Sequence, residues 1–536
     1  MQHVDRPNSS VNVEATAGGS LRALAAEYGL LAVALLAVVT HSVNMFHYPL
    51  YLGDEGIYLE QAWAVIREGQ LAPYTYFYDH APAGWLWVAV WEFLLPRHFL
   101  TFGMAINSAR VLMVLIDAGS TALLYRIAHH MTHSHFAAIA TALVFTLSPL
   151  EIYYQRMVLL DNIMVFWLLL TLDLMLMETR RIVPLLGSGF CFGMAVLCKE
   201  NAVFFAPVLV YLLYHRVRGT YRTRFSLAGW SVSAAMLVSL YPVYALLKGE
   251  FFPAGSAIVG NGSPGAHVSL ISTLLWQVGR HGGSILNPDS QFWQYFWGKW
   301  WDKDPLIIVA GVVATAINLL IGLSDRERHR YTLVSSLLAV AFTIYLIRGS
   351  VMIDFYVVPV LPFFSLNVGL LLSRLADLPP WAIGATLATA ALAAMTVGFL
   401  VQPYTHDEFL VDQTRLQTDQ LAFIRQNVPS NAMILVDDDL WVDLHEPDGT
   451  EPVYPLAHSH WKIAGDPAIQ EKLLHDNWQN LDYLVMSNQL HSIFEENGEQ
   501  LALDAYNHSR VLARFEEGDV ELEVRQVIKP SAGAGG

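Results

Sequence analysis

Residues 24–46 read LAAEYGLLAVALLAVVTHSVNMF, and a few residues further on, positions 53–58 read GDEGIY. The first stretch is apolar over enough residues to cross a bilayer, for which a helix needs about 20. No small-residue cleavage site follows it, so we expect an anchored helix rather than a removed signal peptide. The acidic pair Asp54 and Glu55 therefore stands directly after the first predicted crossing.

Further apolar runs indicate that the chain crosses the membrane many times. Hydrophobic residues make up 54% of the chain and charged residues 15%, against about 25% charged in soluble domains. The sequence predicts a mainly α-helical, polytopic membrane protein of about eleven transmembrane helices. The run at 84–95 is too short to span and predicts an interfacial helix. The spanning runs after the first are 103–127, 135–150, 159–178, 183–198, 201–215, 225–247, 305–323, 331–348, 354–373 and 380–402.

Charge is distributed unevenly along the chain. The net charge of −16 lies entirely after residue 402, where 24 acidic and 8 basic residues occur. We predict a small α/β domain over 403–536, with a helix at 414–425 and strands at 432–436 and 481–485. The alternation at 520–527 is typical of an edge strand. The chain has no basic nucleic-acid footprint.

Arginines in alternate loops set the predicted orientation. The positive-inside bias places the amino terminus in the cytoplasm, with residues 1–20 disordered and 21–402 forming the transmembrane domain. The first outer loop at 48–102, the outer loop at 249–304 and the tail from 403 then all face outward. The predicted location is the cell membrane, with an extracytoplasmic carboxyl-terminal domain.

Charged residues on the outward side are the candidates for chemistry. A partly desolvated Asp54 suits a general base acting on a hydroxyl or an amine; the alternative is a solvated acidic pair that ends a helix. Arg156 suits a phosphate, which it can hold bidentately; the alternative is an ion pair with Glu151 or Asp161. Lys199 and Arg348 could likewise bind a phosphate; the alternative is an ion pair, of Lys199 with Glu200 and of Arg348 with Asp354.

Several other patterns favour structural explanations. The tryptophans within 291–301 are typical of an interfacial belt, with stacking on a sugar or an isoprenoid as the alternative. Asp437–Asp439, with Asp443 and His445, favours an exposed acidic turn, with a bound cation as the alternative. His458 and His460 lack further ligands at a recognisable spacing. There is no Walker lysine, no dinucleotide-binding glycine pattern and no Gly-x-Ser-x-Gly elbow, so a nucleotide-driven pump is not expected.

The order of these motifs resembles a known family. The chain is similar to integral-membrane glycosyltransferases of the GT-C fold, in the branch of protein O-mannosyltransferases and the lipid A aminoarabinose transferase. Relatives often carry a basic residue and two prolines where this chain has His80-Ala81-Pro82, and this departure leaves the contacts there open. The matching residues are Asp54-Glu55, Tyr58, His80-Ala81-Pro82, Arg156, Leu160-Asp161, Lys199-Glu200-Asn201, Tyr356, Pro359 and Pro362.

The resemblance implies an inverting transfer of a sugar from a polyprenyl-phosphate carrier at the outer leaflet. Asp54 would deprotonate the acceptor, with Glu55 as the second residue of the catalytic pair. The cations Arg156, Lys199 and Arg348 would bind the carrier phosphate. Substrate binding or structural support would fall to Tyr58, His80, Asp161, Glu200 and Tyr356.

No metal and no cofactor are expected, and the partners are a lipid-linked donor, membrane lipids and an acceptor. The acceptor is a protein, a glycolipid or a polysaccharide. The alternative function is a lipid-linked sugar flippase or a transporter. A transporter would carry ionisable groups near the bilayer midplane. The predicted spanning helices contain few such groups, mainly Asp117 and Asp173, which weighs against a transporter.

Overall fold

The computed structural model describes residues 13–177, 181–219, 223–253, 268–406, 408–447 and 453–529. Most of the amino-terminal stretch 1–20, predicted to be disordered, therefore lies outside the described residues, and the first helix begins at Val13. The helices before residue 407 are α1 Val13–Ser42, α2 Gly53–Arg67, α3 Ala83–Leu94, α4 Ala105–Thr132, α5 His135–Leu147, α6 Pro149–Gln155, α7 Leu160–Leu176, α8 Val183–Cys198, α9 Ala206–Val217, α10 Thr223–Val238, α11 Leu240–Leu247, α12 Leu270–Gly279, α13 Gln291–Tyr295, α14 Pro305–Ser324, α15 Arg330–Leu346, α16 Leu361–Ala376 and α17 Trp381–His406.

Every apolar run of the sequence lies on one or two of these helices, which confirms a mainly helical protein. Among the described residues, five helices are long and apolar enough to cross a membrane, or up to six if the bent pair α5 and α6 is one span. The count of about eleven crossings stays a prediction. The short segments Glu200–Phe205 and Asp354–Val360 are 3₁₀ turns that lead into α9 and α16.

The tail contains a five-stranded sheet in the order β2-β1-β3-β5-β4. Strands β1, β2 and β3 are parallel, and β5 pairs antiparallel with both β3 and β4. The prediction that 520–527 is an edge strand is wrong, because β4 covers its outer side. The tail elements are α18 Arg415–Asn427, β1 Ile434–Val436, α19 Asp438–His445, β2 Ala457–Ser459, α20 His460–Gly465, α21 Pro467–Ile469, β3 Tyr483–Ser487, α22 Asn488–Asn497, α23 Gln500–Asn507, β4 Ser509–Glu517 and β5 Val520–Val527.

Helix α19 packs directly against α2, and this contact joins the sheet to the membrane helices. A Cβ atom on Gly56 would lie 2.1 Å from the carbonyl oxygen of Asp438, so only glycine permits this approach. Asp438 is only 1% exposed and Asp439 is also buried. The expected exposed acidic turn is therefore wrong for Asp438 and Asp439, because α2 covers them, whereas Asp437 is 26% exposed.

Candidate active site

Asp54 lies in the first turn of α2 and lines a cavity of about 680 Å³ between the membrane helices and the sheet. Burial raises the pKa of Asp54 to about 6, against the opposing positive charges of Lys199 and His80. An acid with a pKa near neutrality is suited to general-base catalysis. The cavity wall is otherwise strongly acidic, with Asp354, Asp437, Asp438, Asp439 and Asp519 against Lys299 and His460.

A second cavity, of about 570 Å³, is lined by several of the other polar candidates and by apolar side chains. Its wall combines Val203, Phe204 and Leu274 with three Lys and Arg side chains, a combination that suits an isoprenoid chain ending in a phosphate. Sequence reasoning assigned Lys199 and Arg348 to the carrier phosphate, and His80, Glu200 and Tyr356 to substrate binding or structural support; all five line this cavity.

Lys199 is held in place by a carboxylate and two aromatic rings. Its Nζ lies 2.5 Å from Asp161 Oδ2 and over the rings of Phe355 and Tyr356, at 4.9 and 4.8 Å from their centroids. These contacts fix the ammonium group although it is almost completely buried. Asp161 therefore orients Lys199, and Tyr356 forms part of the same cavity wall.

His80 and Glu200 form a neighbouring pair. His80 Nδ1 lies 3.4 Å from Glu200 Oε2, and the backbone N–H of Ala81 also donates to Glu200. The ring of Tyr58 lies edge-on to that of His80, with centroids 6.4 Å apart. Burial raises the pKa of the Tyr58 hydroxyl, and Asp54 and Asp161 raise it further.

Glu55 points away from Asp54 and into the helix bundle. Its two oxygens accept from Arg110 Nε at 3.0 Å and Nη2 at 2.8 Å. It also accepts from the backbone N–H groups of Val158 and Leu52. With both oxygens engaged and no exposure, these contacts favour a role for Glu55 in positioning α2.

Arg348 and Arg156 occupy different places. Arg348 donates to the carbonyl of Tyr345 at 2.7 Å and lies over that residue's ring in the second cavity. Arg156 lines neither cavity; it is buried, donates to the carbonyl of Thr40 at 2.8 Å and faces the ring of Phe409. Its assignment to the carrier phosphate stays a prediction, because Arg156 does not line the cavity that contains Lys199 and Arg348.

Sequence reasoning missed several residues of the site. Arg280 and His281 line the second cavity, and a cation in an aromatic-rich outer loop was the signal that could have found them. Arg110 was also missed, although an arginine inside the apolar run of α4 needs a buried partner.

Two groups of described residues could hold a metal ion. One is His41, Asp117 and Glu151, which are completely buried among α1, α4 and α6. The other is Asp437, Asp438 and His460, which line the polar cavity with Asp54.

Known proteins resemble this chain in sequence over part of its length and in structure over nearly all of it. Residues 90–244 match the family model described as dolichyl-phosphate-mannose-protein mannosyltransferase. The crystal structure of ArnT from Cupriavidus metallidurans bound to undecaprenyl phosphate superposes with a TM-score of 0.60 and 16% identity, covering 93% of this chain and 98% of ArnT. The chain has the fold of ArnT.

The archaeal oligosaccharyltransferase of Archaeoglobus fulgidus has a similar structure. In complex with an inhibitory peptide and a dolichol-phosphate it gives a TM-score of 0.52 at 12% identity, covering 93% of this chain and 74% of that protein. No curated protein sequence matches the chain. The resemblance to GT-C glycosyltransferases that depend on a polyprenyl phosphate is thereby confirmed, at the level of the fold and of one family model.

Proposed function

We propose that the protein is an inverting glycosyltransferase that moves a sugar from a polyprenyl-phosphate carrier to an acceptor outside the cytoplasm. One observation carries the proposal: Asp54 lines a polar cavity and lies within electrostatic reach of Lys199, which lines the apolar one. A base at this junction can meet an acceptor from one side and a lipid-linked sugar from the other.

The chemistry follows from this arrangement. Asp54 accepts a proton from the acceptor hydroxyl or amine, and that oxygen or nitrogen forms a bond to the anomeric carbon. The bond from this carbon to the carrier phosphate breaks, and its electron pair leaves with the phosphate. A single displacement inverts the anomeric centre. Lys199 and Arg348 stabilise the negative charge that develops on the leaving group.

The remaining components have supporting roles. Asp161, Glu200 and His80 orient the charged groups, Tyr356 lines the carrier groove, and Glu55 fixes α2 through Arg110. The phosphate leaves already charged, so no general acid is required, and Lys199 and Arg348 supply the charge stabilisation without a metal or a cofactor. The membrane unit at 21–402 carries the donor site, and the tail at 403–536 completes the acceptor cavity on the extracytoplasmic side.

The test is transfer by purified protein in lipid vesicles, with a panel of polyprenyl-phosphate sugars and membrane extract as acceptor. Release of lipid phosphate is measured for wild type and Asp54→Asn, with the exposed Asp419→Asn on α18 as the matched control. We expect Asp54→Asn to lose about 10²–10⁴-fold in rate while keeping saturable donor binding, and Asp419→Asn to match wild type.

Two results would overturn the proposal. Equal release by wild type and Asp54→Asn would remove Asp54 from the chemistry. Saturable donor binding by wild type without release from any donor would favour a flippase or a carrier-binding protein instead.

A further inference from the structure

Three parallel strands of the tail end at the wall of the polar cavity. In the register of β1 and β2, Val436 pairs with Ser459, so the next residues, Asp437 and His460, leave the sheet side by side. Asp438 begins α19 directly after them, and Ser487 ends the third parallel strand, β3. Ligand sites in open parallel sheets form outside the carboxyl ends of the strands.

The ligating atoms of this group face one another without hydrogen bonds between them, and Asp437 Oδ1 also accepts from the backbone N–H of Asp438 at 2.9 Å. His460 Nδ1 lies 3.5 Å from Asp438 Oδ2 and 3.8 Å from Asp437 Oδ1. Within the described part of the chain this nitrogen is buried and has no hydrogen-bond partner. Two ligands on a tetrahedral cation with bonds of about 2.0–2.2 Å lie roughly 3.3–3.6 Å apart, close to the spacing found here.

Neighbouring hydroxyl groups hold both carboxylates in this orientation. Ser459 donates to Asp438 Oδ1, which leaves Oδ2 facing His460. Ser487 Oγ donates to Asp437 Oδ2 at 3.4 Å, so that Oδ1 faces His460. Such outer contacts are what orient the ligands of metal sites in proteins.

A further buried carboxyl group next to these three residues indicates that the site lacks a positive charge. Glu60 of α2 is 3% exposed, and its Oε1 has no hydrogen-bond partner among the described residues. Its carboxyl lies within hydrogen-bonding reach of that of Asp438. The nearby cation Lys462 is directed elsewhere, to the carbonyl of Thr75 at 3.0 Å. Adjacent buried carboxylates are costly unless a cation is present.

We propose that Asp437, Asp438 and His460 bind one divalent cation of the Zn²⁺ class at the carboxyl edge of the sheet. A mixed set of one imidazole and two carboxylates suits Zn²⁺ better than Mg²⁺ or Ca²⁺, which prefer oxygen alone. The cation lies where α19 contacts α2, and it stabilises the packing of the tail beside Asp54. This role is separate from the transfer chemistry proposed above.

The test measures metal binding and does not depend on activity. Purified full-length protein is treated with chelator and dialysed, then titrated with Zn²⁺ against a chromophoric chelator, and bound metal is counted by mass spectrometry. His460→Gln removes a ligand, whereas His491→Gln removes a histidine of the same sheet unit that faces a single carboxylate at 4.0 Å. We expect His460→Gln to lose one equivalent of Zn²⁺ relative to wild type and His491→Gln to lose none.

A second variant protects the test against a folding defect in His460→Gln. Ser459→Ala keeps all three ligands and removes the hydroxyl that orients Asp438, so we expect Zn²⁺ affinity to fall about 10–100-fold. We also expect Zn²⁺ to raise the melting temperature of wild type and His491→Gln but not that of His460→Gln. Absence of saturable Zn²⁺ binding by wild type, or equal stoichiometry in wild type and His460→Gln, would overturn the proposal.

Discussion

The acidity of Asp54 leads to a quantitative prediction for the pH dependence of transfer. Burial raises the pKa of this carboxyl to about 6, and a general base works only when it is deprotonated. We expect kcat/KM for the transfer to rise with pH through a midpoint near 6. At pH 5 the rate should be about one tenth of the plateau rate. If the base were an ordinary aspartate with a pKa of about 3.9, the rate at pH 5 would still be about 90% of the plateau rate.

Two variants should displace this midpoint in opposite directions. The charge of Lys199 lowers the pKa of Asp54 and that of Asp354 raises it. Lys199→Met should therefore move the midpoint to higher pH, and Asp354→Asn should move it to lower pH, whatever each does to the plateau rate. The assay is initial-rate lipid-phosphate release in vesicles from pH 4.5 to 8, with the melting temperature recorded at every pH. A wild-type midpoint near 4, or a shift of both variants in the same direction, would refute the reasoning.

Three further predictions concern the support of the site. Glu55→Gln leaves the Arg110 guanidinium buried without its counter-ion, so unfolding in detergent should become easier by about 3–5 kcal/mol; an unchanged melting temperature would contradict this. Gly56→Ala forces a Cβ against the backbone at the start of α19 and should cost about 1–3 kcal/mol. Gly53→Ala should be tolerated, because the added Cβ would lie 3.8 Å from the nearest atom. Limited proteolysis of the tail in Gly56→Ala and Gly53→Ala measures the difference between the two variants. Arg348→Gln should lower kcat about tenfold, because Arg348 stabilises the charge that develops on the leaving phosphate; a rise in the donor KM with unchanged kcat would limit Arg348 to donor binding.

The membrane helices could be predicted from the sequence because their signal is local. A run of apolar residues is sufficient to indicate a helix, and the run at 103–127 corresponds to α4 Ala105–Thr132. The strands of the tail were harder to predict from the sequence, because β1 and β2 have three residues each. Strand β4 combines charged and apolar residues without clear alternation and was missed, which is why β5 was predicted to lie at the edge.

The candidate site was only partly predictable, because its residues meet through tertiary packing. Asp54 and Lys199 are far apart in sequence, and only the family resemblance suggested that they act together. Burial likewise cannot be inferred from a run of three aspartates, so Asp437–Asp439 was predicted to be exposed. Its proximity to His460 depends on the parallel pairing of β1 with β2, which no local pattern of the sequence indicated.

The two cavities suggest how such a transferase keeps water from consuming its donor. Asp54 lines the polar cavity, whereas the second cavity combines apolar side chains with Lys199 and Arg348 and with the titratable groups of Asp79, His80 and Glu200. Under the proposed function, Asp54 stands on the acceptor side beneath a wall supplied by α19, so a bound acceptor would displace the water nearest to this base. Fit between the acceptor and the tail would then govern both the choice of acceptor and the ratio of transfer to hydrolysis.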